Sequence, residues 1–286
     1  MKGTAGPGWT SWTIGPPAVV LALLFVVPMG IVALYAFLTP GPLGAPELPF
    51  TFAAIRRSLD PLYLGILLRS LRLALLCTVI CLVVGFPVAW ILTGMRGRVR
   101  NFAILALILP SWTNLLVKNY AWIVLLRQEG IVNSLMLRVG LINEPLPLLF
   151  NEGAVLIGLA HTFLPFMVLP LYAALDKLDP AHLEAARDLG AGPWSRLRYI
   201  VLPQCRAGVA AGSLLVFIPA LGSFVTPDLL GGARGMMVGN LIQNQMLLAR
   251  DWPFGSALSL WLMAVTLVLI LLSMRLAGGR FGGKTP

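Results

Sequence analysis

Residues 184–203 read EAARDLGAGPWSRLRYIVLP, a charged and amphipathic stretch in a chain of 286 residues that is otherwise strongly apolar. Hydrophobic residues make up 58% of the chain and charged residues only 11%, and the mean hydropathy is +0.87. This composition is typical of a protein whose solvent is mostly hydrocarbon. We therefore expect the stretch 184–203 to lie between membrane-spanning segments, as a polar connection.

Six apolar segments are long enough to cross the hydrocarbon core of a bilayer, which takes about 20 helical residues. They cover residues 17–38, 73–95, 102–126, 154–175, 207–227 and 255–274. These segments are too long and too uniformly apolar for barrel strands, and a helix satisfies its own backbone in lipid. The sequence predicts an all-α polytopic membrane protein, with six transmembrane helices in a single domain over residues 1–286.

The distribution of lysine and arginine predicts the orientation in the membrane. Roughly twelve lie in the termini and in the loops after spans two and four, against roughly eight in the other loops. By the positive-inside rule, both termini and the loop 176–206 are predicted to be cytoplasmic. The net charge of +10 is explained by this placement, so no nucleic-acid partner is predicted. Between spans one and two, the helical periodicity of residues 51–68 predicts a helix along the outer interface.

The sequence contains one nucleotide-binding pattern in the wrong structural context and no recognisable catalytic pattern. Gly278–Thr285, GGRFGGKT, matches the phosphate-binding pattern GxxxxGK[ST], but a membrane helix precedes it and only Pro286 follows. That loop needs a strand before it and a helix after it. His161 and His182 fall in different regions, and the three cysteines lack metal-ligand spacing. The sequence predicts no catalytic residue, no metal site and no cofactor bound by this chain.

The stretch from Asp179 to Pro203 predicts a helix–turn–helix elbow. Asp179 can cap a helix that has Pro180 at its first position and runs to about Leu189. Gly190 then supplies a left-handed turn that a residue with a Cβ would adopt only at a steric cost. We expect a second short helix to begin near Pro193 and to stop before Pro203.

The first helix of this elbow is suited to docking on another protein. Ala185 and Ala186 keep it thin enough to enter a groove, while Glu184, Arg187 and Asp188 offer charge-assisted hydrogen bonds. From the pattern alone, an ordinary solvated loop remains the alternative.

The spacing of the fixed residues resembles a known motif. Glu184-Ala185-Ala186, three residues, Gly190, nine residues and Ile200-x-Leu202-Pro203 resemble the EAA motif of permease subunits of bacterial binding-protein-dependent ABC importers. The resemblance implies a type I importer permease fold in the bacterial inner membrane and a coupling helix over Asp179–Leu189. That helix would dock into a cleft of a separate ATPase subunit, which uses the ATP and is present in two copies in the importer. The implied coupling residues are Glu184, Ala185, Ala186, Arg187, Asp188, Gly190, Ile200 and Pro203.

The likeness extends along nearly the whole chain. Residues 110–122, PSWTNLLVKNYAW, and 216–232, VFIPALGSFVTPDLLGG, look like segments of spermidine/putrescine importer permeases. This implies transport of polyamine, pairing with a similar second permease subunit as in the heterodimers of that family, and a periplasmic substrate-binding protein. The alternatives are another small organic solute, such as an amino-acid derivative or an aminophosphonate, or a secondary transporter. A secondary transporter should show inverted repeats and matching broken helices, which the sequence does not display.

One departure from the polyamine pattern concerns charge. Related permeases often carry an acidic residue where this chain has Ser223; Asp228 remains near the outer end of span five, and Lys118 is the one charged residue well inside a span. A lysine in the bilayer costs about 2.5 to 3.5 kcal/mol, so it should face the bundle interior or an aqueous path. Asn114, Lys118 and Trp122 share one predicted helical face, with Trp112 and Asn119 close by. The predicted substrate pathway comprises Trp112, Asn114, Lys118, Asn119, Trp122 and Asp228.

Two other positions of the Lys118 side chain, outside a substrate pathway, stay open. Lys118 could instead pair internally or extend its amine to the outer surface. His161 is interpreted as a contact residue between helices, and Gly208 with Gly212 predicts a close helix–helix contact.

Overall fold

The computed structural model describes residues 7–232 and 235–278, which are predominantly helical. The helices are α1 (Pro7–Tyr35), α2 (Ala53–Ser58), α3 (Pro61–Gly94), α4 (Gly97–Ile108), α5 (Leu115–Leu126), α6 (Ile131–Arg138), α7 (Glu152–Leu175), α8 (Pro180–Asp188), α9 (Pro193–Arg196), α10 (Leu202–Leu221), α11 (Val238–Gln243) and α12 (Trp252–Gly278). Two short strands, β1 (Leu38–Pro40) and β2 (Pro46–Phe50), pair antiparallel. The sequence did not predict this hairpin, since its prolines and glycines indicated only turns.

Five helical segments in the described residues are long and apolar enough to cross a membrane. They are Gly15–Tyr35, Pro61–Gly94, Glu152–Leu175, Pro193–Leu221 and Trp252–Ser273. Each overlaps one predicted span. The prediction of a helical, polytopic membrane protein is confirmed, and a bent helix pair is the candidate for the sixth crossing.

The third predicted span, 102–126, is not one straight helix. The helical stretches Gly97–Trp112 and Leu115–Arg138 meet at an angle of 92°. At the break, the Thr113 hydroxyl donates to the Pro110 carbonyl at 2.7 Å, and the Asn114 side chain accepts from the Leu116 amide at 2.8 Å. Such local bonds from Thr and Asn compete with helix continuation. A search for apolar runs cannot detect the break, because the segment stays apolar on both sides of it.

The predicted interfacial helix over 51–68 is also only partly right. The separate helix α2 ends at Ser58, and α3 begins at Pro61 and continues to Gly94. Asp60 explains the new start, because its Oδ1 accepts from the Leu62 amide at 2.9 Å, directly before a proline at the first helical position. Residues 61–68 therefore belong to the second spanning helix.

The elbow departs from its prediction at Pro203. The helix does not stop before this residue, since α9, the π-helical turn Leu197–Val201 and α10 follow one another without interruption. In the π turn, the Leu202 amide donates to the Leu197 carbonyl, five residues back. The wider turn places Pro203 in the first turn of α10, where its missing N–H is tolerated.

The chain divides into two compact units. The first comprises the described part of Met1–Tyr63 together with Ile242–Met263. In it, Ala36, Ala54 and Ala257 are buried against one another, and the Trp261 indole N–H donates to the Ser58 hydroxyl at 2.9 Å. This unit therefore joins α2 to α12 through small side chains and one polar contact.

The second unit comprises Leu64–Leu241 and the described part of Ala264–Pro286. Its main contact joins α7 and α10 at Gly208 and Gly212. A Cβ at Gly208 would lie 2.6 Å from the Ala174 Cβ and 2.7 Å from the Pro170 carbonyl oxygen. The close contact predicted at these glycines is confirmed, and it sets the separation of the two helices that flank α8 and α9.

Candidate functional site

The first candidate site is the elbow, which begins with a well-formed helix cap. The Asp179 carboxylate accepts from the Ala181 amide at 2.9 Å, and Pro180 occupies the first position of α8. Aspartate at this position satisfies an amide that has no partner within the helix. The predicted start of the helix is confirmed.

The end of α8 is fixed by a Schellman motif centred on Gly190. The Ala191 amide donates to the Ala186 carbonyl and the Gly190 amide to the Arg187 carbonyl, both at 2.9 Å. Gly190 has φ of +77°, the left-handed conformation that the sequence predicted. The Asp179 side chain closes the start of this nine-residue helix and backbone bonds close its end, so the helix can transmit a force as a rigid body.

The outer surface of α8 is charged along one edge and apolar at its end. Glu184, Ala185, Arg187 and Asp188 are exposed, whereas Ala186 is half-buried. Leu189, directly after the helix, is 88% exposed. Sequence reasoning had not singled out this leucine as a contact residue; the available signal was a large apolar residue next to a glycine in a polar segment.

The remaining motif residues lie after the turn. Ile200 is half-buried within the π-helical turn Leu197–Val201, and Pro203 is exposed on the first turn of α10. Motif residues thus lie on both arms of the elbow, with Gly190 between them.

The second candidate site is the face of α5 that carries Lys118. Lys118 is half-buried, and the Trp122 ring meets the His161 ring of α7 edge to face, with 5.7 Å between their centroids. The structure therefore places His161 at a contact between two helices. Asn119 is buried, and its side-chain amide donates to the Leu115 carbonyl at 3.0 Å. Lys118 and Trp122 thus share one face, one turn apart.

The other predicted pathway residues lie elsewhere. Asn114 uses its side chain to cap α5, and Trp112 is 77% exposed on the far side of the break. The shared helical face predicted for Asn114, Lys118 and Trp122 is therefore incomplete, because the helix begins after Asn114. Asp228 is exposed in the π-helical turn Pro227–Gly231, which packs against α5 and α7.

Two buried polar residues escaped the sequence reasoning. The Ser70 hydroxyl on α3 accepts from the Val238 amide and donates to the Ile66 carbonyl, both at 2.8 Å. The Asn240 side chain donates to the Phe224 carbonyl at 2.6 Å and accepts from the Met237 amide at 3.2 Å. Single polar residues in apolar segments were the available signal, since a buried polar group must find a partner. These bonds hold α11 against α3 and against the segment that leads to Asp228.

One carboxylate joins the ends of α3 and α7. Glu152, in the first turn of α7, pairs with Arg72 and lies 3.5 Å from Arg69 Nε. Both arginines lie within α3, before residue 73, where the second predicted span begins. Three charges in contact make this end of the two helices polar.

Over residues 7–232 and 235–278, no group of three His, Cys, Asp or Glu side chains could hold a metal ion. Cys77, Cys81 and Cys205 are buried free thiols. The phosphate-binding pattern at Gly278–Thr285 lies, apart from its first residue, outside the described residues.

Comparison with protein families shows to which family the chain belongs. The family of binding-protein-dependent transport system inner membrane components matches residues 8–281. The chain belongs to this family. It is therefore a multi-pass permease component of the inner membrane, as the EAA motif at Glu184–Pro203 implied.

Two relatives of this binding-protein-dependent component come from Escherichia coli (strain K12). The chain is 42% identical over 255 residues to the spermidine/putrescine transport system permease protein PotB, covering 89% of this chain and 93% of PotB. It is 36% identical over 242 residues to the inner membrane ABC transporter permease protein YdcU, covering 79% of this chain and 74% of YdcU.

The fold of this inner membrane component is shared with a solved transporter. A chain of a bacterial ABC transporter involved in the import of the acidic polysaccharide alginate superposes with a TM-score of 0.76. The match covers 96% of both chains at 17% sequence identity. At this identity the likeness concerns the fold alone, and it confirms the expected type I importer permease fold.

Proposed function

We propose that this chain is the permease subunit of an ATP-driven importer, and that α8 couples it to a separate ATPase. The observation that carries the proposal is a short helix closed at both ends, with charged residues along one edge and Leu189 exposed at its tip. A rigid helix with such a surface fits a groove on another protein and transmits its movement. The ATPase, in two copies, hydrolyses the ATP, while this chain binds no cofactor and catalyses no reaction.

The coupling contacts assigned by the proposal lie on both arms of the elbow. Glu184, Arg187 and Asp188 form charge-assisted hydrogen bonds with the ATPase, and the small Ala185 and Ala186 allow close approach. Gly190 sets the angle between the two arms, and Ile200 and Pro203 carry the movement into α10. The proposal puts α8, and with it both chain termini, on the cytoplasmic side of the membrane.

Polyamine is the proposed substrate class. The support is the 42% identity to PotB over 89% of this chain. A second permease subunit, different from this one, completes the pathway, and a periplasmic binding protein delivers the polyamine. The alternative is another small organic solute, such as an amino-acid derivative or an aminophosphonate. The half-buried cationic Lys118 favours that alternative, because it repels a polyamine.

The pathway proposal centres on Lys118 and Trp122. The amine of Lys118 requires a polar environment in the membrane, which a water-filled path supplies. The proposed pathway also includes Asn119, which is buried on α5, and Trp112, Asn114 and Asp228, which lie outside this helix.

One reconstitution experiment tests both the partner and the substrate. The chain is coexpressed with its second permease and ATPase, the complex is purified, and ATP hydrolysis is measured in lipid vesicles. We expect the ATPase to copurify and its rate to rise when the binding protein is added with spermidine or putrescine. A correctly inserted chain that binds no ATPase would refute the coupling proposal. Stimulation by an aminophosphonate or amino-acid derivative, with none by polyamines, would replace the substrate.

A further inference from the structure

A cavity of about 440 Å³ lies between α8 and the end of α3. Aromatic and aliphatic side chains form most of its wall. The residues that matter here are Phe86, Trp90 and Ile91 of α3, Leu183 of α8, and Arg196 and Val201 of the second arm. The cavity therefore touches the proposed coupling helix one residue before Glu184.

Arg196 is the single charged residue in this wall, and it is half-buried. Its Nε is buried and, among the described residues, forms no hydrogen bond. Leaving a buried donor without a partner is destabilising, and more so when the donor belongs to a charged group. An apolar cavity with one unsatisfied guanidinium N–H fits a ligand with an apolar body and an anionic oxygen.

Exposed aromatic residues around the cavity mark its depth in the membrane. Trp90 is 41% exposed and stacks on Phe86, with 6.4 Å between ring centroids. Trp194 and Tyr199 on the second arm are 70% and 71% exposed. Tryptophan and tyrosine concentrate where the bilayer meets water, because their rings are apolar and their N–H or O–H groups are polar. Trp90 in the wall, and Trp194 and Tyr199 on the arm that contributes Pro193 and Arg196 to it, therefore favour a position of the cavity near the lipid headgroups.

We propose that this cavity binds one anionic phospholipid. The acyl chain lies against Phe86, Trp90 and Ile91, and a phosphate oxygen accepts the hydrogen bond of Arg196 Nε. Basic pockets between membrane helices bind anionic headgroups in this way. Charge complementarity distinguishes this lipid from a zwitterionic one, whose added cation would oppose Arg196. The bound lipid fills the space between α3 and Leu183, and so holds α8 in position.

The lipid site and its effect on coupling rest on different features of the protein. The lipid site follows from the cavity and from Arg196 alone. The effect on coupling also rests on the proposed function of α8. Two separate measurements are therefore needed.

The lipid site is tested by counting bound lipids. The purified complex is delipidated in detergent and titrated with phosphatidylglycerol or with phosphatidylcholine of the same acyl chains, and bound lipid is counted by native mass spectrometry. We expect one phosphatidylglycerol to bind more tightly than any phosphatidylcholine. Arg196→Gln should weaken this binding at least about fivefold, since one basic residue near the surface contributes about 1 kcal/mol. Equal affinity for the two lipids would overturn the proposal.

The matched control is Arg198→Gln. Arg198 lies two residues further along, exposed, with its guanidinium 5.8 Å from the centroid of the Tyr199 ring. The control removes the same charge without changing the cavity wall, so it should change the affinity less than twofold. An equal loss in both variants would show general attraction to a basic surface and would overturn the site.

The occupant is tested by two further measurements on the same complex. Ile91→Trp should exclude the lipid by filling the cavity, and a photoreactive phosphatidylglycerol should label residues 86–91. Labelling outside residues 86–91 would place the lipid elsewhere and overturn the site. Covalent capture of a partner subunit by a photoreactive residue at position 91 would show that a protein segment occupies the cavity instead. Displacement of the lipid by inorganic phosphate would show that the anion alone is bound, and would equally overturn the proposal.

The effect on coupling is measured as solute transported per ATP hydrolysed, in vesicles with and without phosphatidylglycerol. We expect the ratio to fall at least twofold without this lipid, and Arg196→Gln to show the lower ratio in both membranes. An unchanged ratio would refute the positioning of α8 by lipid. A failure of the proposed function itself is distinguishable, because the purified complex would then contain no ATPase.

Discussion

The Arg57 guanidinium lies 2.8 Å from the Asp251 carboxylate, between residues 194 positions apart in the chain. The same guanidinium lies over the Phe254 ring, 4.1 Å from its centroid. Asp251 also accepts from the Phe254 amide at 3.1 Å, at the start of α12. Burial opposes the charge on Arg57, but its hydrogen bonds and its attraction to Tyr63 and Asp251 prevail and raise its pKa. This ion pair therefore joins α2 to α12 at every physiological pH.

Replacing Arg57 should measurably destabilise the first unit. Arg57→Gln removes a half-exposed ion pair and a cation–π contact, which together contribute about 1 kcal/mol. Asp251→Asn keeps an oxygen to cap α12 and loses the charge. We expect a double-mutant cycle, measured by denaturant unfolding in detergent, to give a coupling energy of about 0.5 to 1 kcal/mol. Additive single effects would show that the two side chains do not stabilise each other.

A side chain at Gly208 should separate α7 from α10. Gly208→Ala places a Cβ against the Pro170 carbonyl, a backbone group that cannot move away alone. Overpacking of this kind costs about 1 to 3 kcal/mol, so the unfolding temperature of the purified chain should fall.

The control for Gly208 is a glycine with open surroundings. Gly65 in α3 would have nothing within 4 Å of an added Cβ. Gly65→Ala should therefore leave the unfolding temperature unchanged or raise it, because alanine favours a helix over glycine by about 1 kcal/mol. Equal falls in both variants would indicate general sensitivity of the helices to substitution.

The elbow could be predicted from sequence because its determinants are local. The cap at Asp179 and the turn at Gly190 each depend on residues within one helical turn, so residue type is enough to indicate them. The break at Thr113 also has local signals, namely Pro110 and Asn114. Hydropathy concealed them, because both helices that meet there are apolar.

Other features depend on residues far apart in the chain and could not be predicted. Nothing near Arg57 in sequence identifies Asp251 as its partner, and nothing near Ser70 identifies the Val238 amide. The continuous helix from α9 through Pro203 into α10 could not be predicted for a different reason, which is local. Proline is ordinarily a helix breaker, and only the π-helical turn before it explains why the helix continues.

Replacing Gly190 should uncouple ATP hydrolysis from transport. Gly190→Val forces a β-branched residue to adopt φ of +77°, which costs of order 1 to 3 kcal/mol, so the turn rearranges and α8 is misplaced. In vesicles containing the full complex, we expect ATP hydrolysis to persist while solute uptake falls at least tenfold. The six apolar segments do not involve this turn, so membrane insertion should be unaffected.

Gly192 provides the matched control for Gly190. It also has open space around it, but its φ is −66° and ψ is 166°, which valine adopts easily. Gly192→Val should therefore retain most of the uptake. Intact coupling in Gly190→Val, or equal loss in both variants, would show that the left-handed turn is not what aligns α8.

Lys118 provides a test of the pathway on α5. Lys118→Met preserves the length of the side chain and removes a charge that costs about 2.5 to 3.5 kcal/mol in the membrane, so the complex should assemble at least as well. If the amine faces the pathway, the rate of uptake per assembled complex should change severalfold, and Lys118→Arg should restore it because the positive charge returns. Uptake and ATP hydrolysis both unchanged in Lys118→Met would show that the lysine extends to the surface, outside the transport route.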